Sequence, residues 1–155
     1  MIAPMTPLVL RRATAADGVA IRELLVELGY AQLADAPLAG ELTSTLAQIL
    51  ADAARDTWVA EARGLVVGLM SLSTRPHLRV AGLIVTVEEL VVRETERGAG
   101  VGTALVRLAQ EHTVRVGARR LELLTNRTRP VYERGFYVKC GFTEANSAVM
   151  RWTAQ

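Results

Sequence analysis

The chain has 155 residues, of which half are hydrophobic and 22% are charged, and its formal net charge is +2. This length suits one folded domain with a sizeable core, and the composition excludes intrinsic disorder. The arginines are spread along the sequence without a dense basic run, so we expect no binding to nucleic acid.

The sequence carries no signal for export, membrane insertion or metal binding. Residues 1–7 lack the charged head and long apolar stretch of a signal peptide, and the apolar runs fall far below the ~20 residues of a membrane span. Cys140 is the single cysteine, and neither His77 nor His112 has acidic or cysteine neighbours at ligand spacing. We therefore expect a cytoplasmic protein with no metal, no disulfide and no membrane contact.

The first third of the chain predicts one strand followed by two helices. Leu8 to Leu10 is strand-like, and Thr14 to Asp17 is a variant of the capping box that starts a helix. Apolar residues recur at helical spacing from Ile21 to Leu28 and again from Leu42 to Ala53. The segment between them, Tyr30 to Gly40, predicts a loop.

The middle of the chain predicts three strands. Thr57 to Ala62 and Leu65 to Leu72 are joined by Arg63-Gly64, which suits an antiparallel hairpin. Arg75 to Arg79 predicts a loop, and Leu83 to Val92 predicts a long strand.

The last third predicts helix, strand, helix and strand, at Val101 to Val116, Leu121 to Thr125, Arg129 to Lys139 and Ser147 to Trp152. The complete order is β-α-α-β-β-β-α-β-α-β. Strand–helix–strand crossovers imply parallel pairing near the end, whereas the hairpin is antiparallel. We predict an α/β (α+β) fold, a single domain over residues 7–153 with a mixed sheet flanked by helices.

A glycine-rich turn, Arg97-Gly98-Ala99-Gly100-Val101-Gly102, separates the long strand from the helix that follows. Glycines leave the backbone uncovered, so its N–H groups can face one bound group. The helix start adds free donors and a partial positive charge, and Arg97 adds a fixed charge. The turn therefore predicts a pyrophosphate site.

Three other interpretations of this turn are weaker. A plain strand-to-helix connection needs one glycine rather than three. A dinucleotide fingerprint needs a third glycine where Thr103 stands, and a Walker loop needs a lysine that this turn does not have.

Two motifs and the predicted order of elements match a known family. Arg97-x-x-Gly100-x-Gly102 matches the acyl-CoA pyrophosphate motif Q/R-x-x-G-x-G/A, and residues 89–92 are similar to the strand that precedes it. Residues 136–142, FYVKCGF, match the closing motif F-Y-x-K-x-G-F. On these features the chain, from about Leu8 to Trp152, resembles the GCN5-related N-acetyltransferase (GNAT) family.

The resemblance implies acetyl-CoA as co-substrate. In the family, the pantetheine arm pairs with the main chain of the strand before the glycine-rich turn, where two parallel strands splay apart. Family members often carry an Asn where Pro130 stands here, so Asn126 is the candidate to replace it. The implied cofactor contacts are Leu90, Val91, Val92, Arg97, Gly98, Ala99, Gly100, Val101, Gly102, Thr103 and Asn126.

Glu88 and Glu89 are the candidate general bases. An alkyl ammonium has a pKa near 10 and must lose a proton before it attacks, and partial burial would raise the pKa of a glutamate towards neutrality. Successive strand residues point to opposite faces, so only one of the two fits the role. Counting back from Arg97, Glu88 falls where several relatives carry their base, and Glu89 is second. The structural alternative is one exposed acid and one salt-bridged acid.

Tyr137 stands at the position of the family's general acid. A phenol with a pKa near 10 can protonate the leaving thiolate of CoA. The alternative is an aromatic core residue, like its neighbours Phe136 and Phe142.

The resemblance therefore implies an N-acetyltransferase in which the primary amine of a small-molecule or peptide acceptor attacks acetyl-CoA directly, in a ternary complex. Dimers are common in the family, which leaves a homodimer open. The alternative hypothesis is a non-catalytic acyl-CoA-binding sensor or interaction module. A third hypothesis is a nucleotide-binding protein. No motif identifies the acceptor.

Overall fold

The structure is a computed structural model that describes residues 7–154. The expectation about a signal peptide concerns residues 1–7 and lies almost entirely outside this range. The chain divides into two compact units, one ending at Leu124 and one beginning at Thr125. Within the described range, no helix has both the length and the apolar character needed to cross a membrane.

The first unit contains a five-stranded sheet in the order β1-β2-β3-β4-β5. Neighbours from β1 to β4 are antiparallel, and β4 and β5 are parallel. A parallel pair needs a crossover, which the third helix supplies. The strands are β1 Val9–Arg12, β2 Arg55–Ala62, β3 Leu65–His77, β4 Gly82–Val92 and β5 Arg120–Leu123.

Three helices cover the two faces of this sheet: α1 Gly18–Glu27, α2 Leu38–Ala51 and α3 Val101–Arg115. Because alternate strand residues point to opposite faces, Met70 and Leu72 pack with the α3 residue Leu105. Leu69, which directly precedes Met70 in sequence, packs with the α1 residue Leu24 on the other side. We call the two sides the α3 face and the α1–α2 face. The mixed sheet flanked by helices that the sequence predicted is confirmed.

The predicted hairpin is also confirmed. β2 and β3 are joined by Arg63 and Gly64, whose φ angles are 53° and 74°. Two successive residues with positive φ form the turn whose twist matches that of antiparallel strands.

Two predicted loops are partly regular structure. β3 continues through Arg75 to His77 because it stays paired with β4 up to His77 and Gly82, whereas its pairing with β2 stops at Ser73. Pro76 therefore lies where β3 has an open edge, and a missing N–H costs nothing there. The expected loop from Tyr30 to Gly40 contains a short 3₁₀ turn and the first residues of α2.

The second unit differs from its prediction in two ways. The helix expected from Arg129 to Lys139 is two short helices, α4 Pro130–Glu133 and α5 Phe136–Lys139, separated at Gly135 with φ 66°. The expected last strand, Ser147 to Trp152, is not formed: no residue of the described second unit pairs in a β-ladder. Its apolar residues are exposed, with Met150 at 91%. An apolar segment can suit a strand, but a strand also requires a partner strand to pair with.

Candidate active site

The glycine-rich turn ends in an open helix N-terminus. Gly98 and Gly100 have φ angles of 81° and 85°, which favour glycine because other residues pay steric strain there. The N–H of Ala104 donates to the carbonyl of Gly100 at 3.0 Å, the first bond of α3. The N–H groups of residues 101–103 precede that bond and have no acceptor within the helix.

The space beside this turn is open. A Cβ atom built on Gly98 or Gly100 would meet nothing within 4 Å, so internal packing does not require these glycines. Arg97 is exposed, and its Nε donates to the carbonyl of Val92 at 3.2 Å, which ties the guanidinium to the end of β4. Backbone donors, the positive end of α3 and one arginine therefore share an open surface, and this donor set fits a pyrophosphate.

The end of β4 extends beyond its parallel neighbour. β4 and β5 pair from Ile84 with Arg120 to Val87 with Leu123. Residues 88–92 continue along β3 without a partner from β5. Their main-chain groups on that edge have no strand neighbour within the first unit, so an extended ligand could pair there as an added strand.

The side chains at this strand end are engaged in packing. Val91 is buried with α1 and α2, and Leu90 and Val92 lie against the core on the α3 face. Leu90 and Val92 are partly buried, and their main-chain groups on the open edge of β4 are the ones that an added strand would use.

Glu88 occupies a β-bulge. Ser71 pairs with Glu89 and Leu72 pairs with Val87, which leaves Glu88 as the extra residue of β4. Bulges re-aim side chains and are frequent beside active sites. The bulge also corrects the prediction that the two acids point to opposite faces. Glu89 pairs with Ser71, and Glu88 bonds to Ser73 two residues along, so both lie on the α1–α2 face.

The surroundings of Glu88 differ from those expected of a buried base. Its side chain is 43% exposed, its Oε1 accepts a hydrogen bond from Ser73 Oγ at 2.5 Å, and Arg55 lies 3.8 Å away. The bulge thus places Glu88 on an exposed part of the sheet beside an arginine, an environment that resembles the structural alternative of an exposed or salt-bridged acid. Sequence reasoning missed Ser73 and Arg55, since only the register of three strands brings them to Glu88.

In the second unit, Tyr137 is half-buried between two aromatic rings. The centroids of Phe136 and Phe142 lie 5.1 Å and 6.1 Å from its ring, both edge-on. Burial raises the pKa of the Tyr137 phenol, partly offset by a hydrogen bond with Thr125 and by the nearby charge of Arg129. The group is therefore protonated at neutral pH, as a general acid must be.

Asn126 is exposed and stabilises its own turn. Its Oδ1 accepts hydrogen bonds from the N–H and the Oγ1 of Thr128, at 2.9 Å and 2.8 Å. The oxygen is thus used locally, and its NH₂ group is the part that could donate to a ligand. Among the described residues, no group of three or more His, Cys, Asp or Glu side chains is placed to hold a metal.

Comparisons with known proteins agree with this fold. The model of the acetyltransferase (GNAT) family matches residues 20–142, so the chain belongs to that family. It is 37% identical over 83 residues to the aminoalkylphosphonate N-acetyltransferase of Salmonella typhimurium, covering 54% of this chain and 53% of that protein. The chain spans about half the length of the curated relatives it matches.

Two solved structures show the same architecture. A Trypanosoma brucei acetyltransferase is 29% identical with a TM-score of 0.76, over 96% of this chain and 100% of that one. A transcriptional regulator from Bacillus halodurans C-125 is 23% identical with a TM-score of 0.86, over 95% of this chain and 100% of that one. The second likeness concerns the fold alone.

Proposed function

We propose that this protein is an N-acetyltransferase that moves an acetyl group from acetyl-CoA, the donor its family uses, to the primary amine of a small molecule or peptide. The nitrogen–carbon bond forms as the carbon–sulfur bond of the thioester breaks. The amine gives up one proton, and the sulfur leaves as a thiol. The observation that carries the proposal is the open helix N-terminus beside the unpaired end of β4.

Residues of the glycine-rich turn and of β4 would hold the donor. Arg97 and the N–H groups of residues 98–103 would bind its pyrophosphate, and the main chain of residues 90–92 would pair with its pantetheine arm. The NH₂ group of Asn126 is the candidate for a further contact with that arm. A backbone N–H near Val92 would polarise the thioester carbonyl, as an oxyanion donor does.

Two side chains would move protons. Glu88, held by Ser73, would accept the proton of the incoming ammonium, directly or through water. Glu89 is the second candidate, on the same face of the sheet. Tyr137 would donate its proton to the departing sulfur, and its raised pKa supports this role because the phenol keeps its proton at neutral pH.

The nature of the acceptor rests on a relative. The Salmonella protein is named for acetylation of an aminoalkylphosphonate, a small amine, and this supports a small-molecule acceptor here.

Steady-state kinetics with a panel of amines test these roles. We expect kcat to fall about a hundredfold in Tyr137→Phe and in Glu88→Gln, the lower range for loss of one acid or base. Tyr132→Phe, on a partly exposed side chain whose hydroxyl donates to Glu144, and Glu111→Gln, on an exposed side chain, are matched controls and should keep kcat. An unchanged kcat in both Tyr137→Phe and Glu88→Gln would remove the assigned chemistry while leaving the donor site intact.

A second candidate function is an acyl-CoA-binding module without turnover. The observation that favours it is the exposed, ion-paired state of Glu88, which differs from the buried carboxylate expected of a base. Binding of acetyl-CoA with no transfer to any amine of the panel would select this alternative.

A further inference from the structure

The α1–α2 face carries charged side chains beyond Glu88 that remain exposed. The register places Arg55, Ser73, Thr86 and Glu122 side by side across β2, β3, β4 and β5. The next row along the strands contains Arg75, Ile84 and Arg120. Side chains in neighbouring rows of one face meet across the strands.

Positive charge is in excess at this second row. Arg75 lies 3.9 Å and Arg120 lies 3.3 Å from the carboxylate of Glu122, which both guanidinium groups therefore share. The side chains are 53% exposed for Arg75, 49% for Arg120 and 40% for Glu122. A single carboxylate at the edge of the sheet thus balances only one of two adjacent arginines.

A third arginine reaches the same edge because β4 begins with a glycine. A Cβ atom built on Gly82 would lie 3.0 Å from Nε of Arg119, so the stem of Arg119 crosses the place of the missing side chain. Among the described residues, no carboxylate lies within salt-bridge distance of Arg119. We call Arg75, Arg119 and Arg120 the arginine cluster.

The distance from this cluster to Glu88 suits a short bifunctional molecule. Ser73, which holds Glu88, and Arg75 are two residues apart on β3, or about 7 Å at the rise of a strand. A guanidinium offers planar paired donors that match a carboxylate or a phosphate group. The face thus presents a carboxylate for a cation at one row and arginines for an anion at the next.

We propose that the arginine cluster binds an anionic group of the acceptor, a carboxylate or a phosphonate, while the acceptor amine lies at Glu88. The acceptor is then a short chain with an amine at one end and an anion at the other. This inference rests on the proposed function, since it concerns the substrate of the same site.

Isothermal titration on protein saturated with CoA tests it without requiring turnover. The ligands are aminopropylphosphonate, γ-aminobutyrate and butylamine, which share an amine and differ in the far group. We expect at least one of the two anionic ligands to bind about tenfold or more tightly than butylamine, a difference of about 1.4 kcal/mol. The comparison between phosphonate and carboxylate identifies which anion fits.

Three variants make the test specific. Arg120→Gln should weaken the preferred anionic ligand about tenfold and leave butylamine unchanged. Arg107→Gln, the same charge change on an exposed position of α3, should alter none of the three. Glu122→Gln should tighten the anionic ligand, because it releases both Arg75 and Arg120, whereas simple damage to the sheet would weaken it.

Two results would overturn the inference. One is equal affinity for the three ligands, or no binding of any. The other is an anionic preference that Arg120→Gln and Arg75→Gln both leave unchanged. Failure of the proposed function is a separate observation, loss of acetyl-CoA binding by the wild type, which a parallel titration with acetyl-CoA reports.

Discussion

The two ends of α3 differ in how their polar groups are paired. At the N-terminus, Gly100 is left-handed, no side chain caps the helix, and the turn is exposed. Near the C-terminus, His112 is 3% exposed, and both of its ring nitrogens lie close to polar partners. Its Nδ1 is 3.0 Å from Arg115, and its Nε2 is 3.3 Å from both Asp56 and Thr74.

These contacts assign the tautomer of His112. An arginine only donates, so Nδ1 accepts from Arg115, and Nε2 carries the hydrogen that Asp56 or Thr74 receives. Burial lowers the pKa of His112, and the charges of Arg115 and Arg12 lower it further. The ring is neutral and satisfied, which indicates a structural role. The free donors at the other end indicate a ligand site.

The largest expected effect is on the free energy of unfolding, and it comes from His112 near the C-terminus of α3. His112→Ala should lower the free energy of unfolding by about 2–4 kcal/mol, because it opens a cavity and leaves buried polar groups without partners. Urea denaturation measures the loss, and Glu111→Ala is the exposed neighbour that should change it by less than about 0.5 kcal/mol. The affinity for acetyl-CoA should stay the same in both variants. A lower affinity in His112→Ala would mean that the two ends are not independent.

The next effect compares one glycine at each end of α3. Gly100 and Gly117 both have positive φ, 85° and 68°, and a Cβ atom on either meets nothing within 4 Å. Each Gly→Ala change should therefore cost about 1 kcal/mol of stability. Only Gly100→Ala should also weaken acetyl-CoA, by about tenfold, because its methyl group enters the donor surface. Equal affinities in isothermal titration of the two variants would contradict a ligand site at this turn.

The smallest effect is a pH dependence of stability. The folded pKa of His112 lies below its ordinary 6.5, so in that interval the unfolded chain binds more protons than the native one. Stability should therefore fall as the pH drops from about 7 towards the folded pKa, by less than about 1.4 kcal/mol per pH unit. Arg11 lowers the pKa of Asp17 from 3.8 to about 2. The stabilisation that Asp17 contributes is therefore lost only as the pH falls below about 3.8.

Denaturation of His112→Gln at several pH values checks this sign. The slope between about pH 7 and about pH 5.5 should become flatter than in the wild type. A His77→Gln variant controls for the other histidine. An unchanged slope in His112→Gln would assign the dependence to other groups.

The same contrast shows what the sequence could predict. The helical stripe of α3 and the glycines at its start are local patterns, and both were placed correctly. The bulge at Glu88 and the contacts of His112 with Asp56 depend on strand register, which no local pattern contains. The expected strand from Ser147 to Trp152 has apolar residues, but it has no partner in the described part of its unit. The sequence thus predicts features that depend on neighbouring residues, but not the contacts between residues on different strands.

The most direct test of a donor site at the glycine-rich turn is isothermal titration of acetyl-CoA against the wild type, Arg97→Glu and the control Arg107→Glu, with ATP and NAD as competing nucleotides. We expect micromolar binding by the wild type and the control, no measurable binding by Arg97→Glu, and none of ATP or NAD. Absence of acetyl-CoA binding by the wild type would contradict a donor site, and the glycine-rich turn would then be only a connection between β4 and α3.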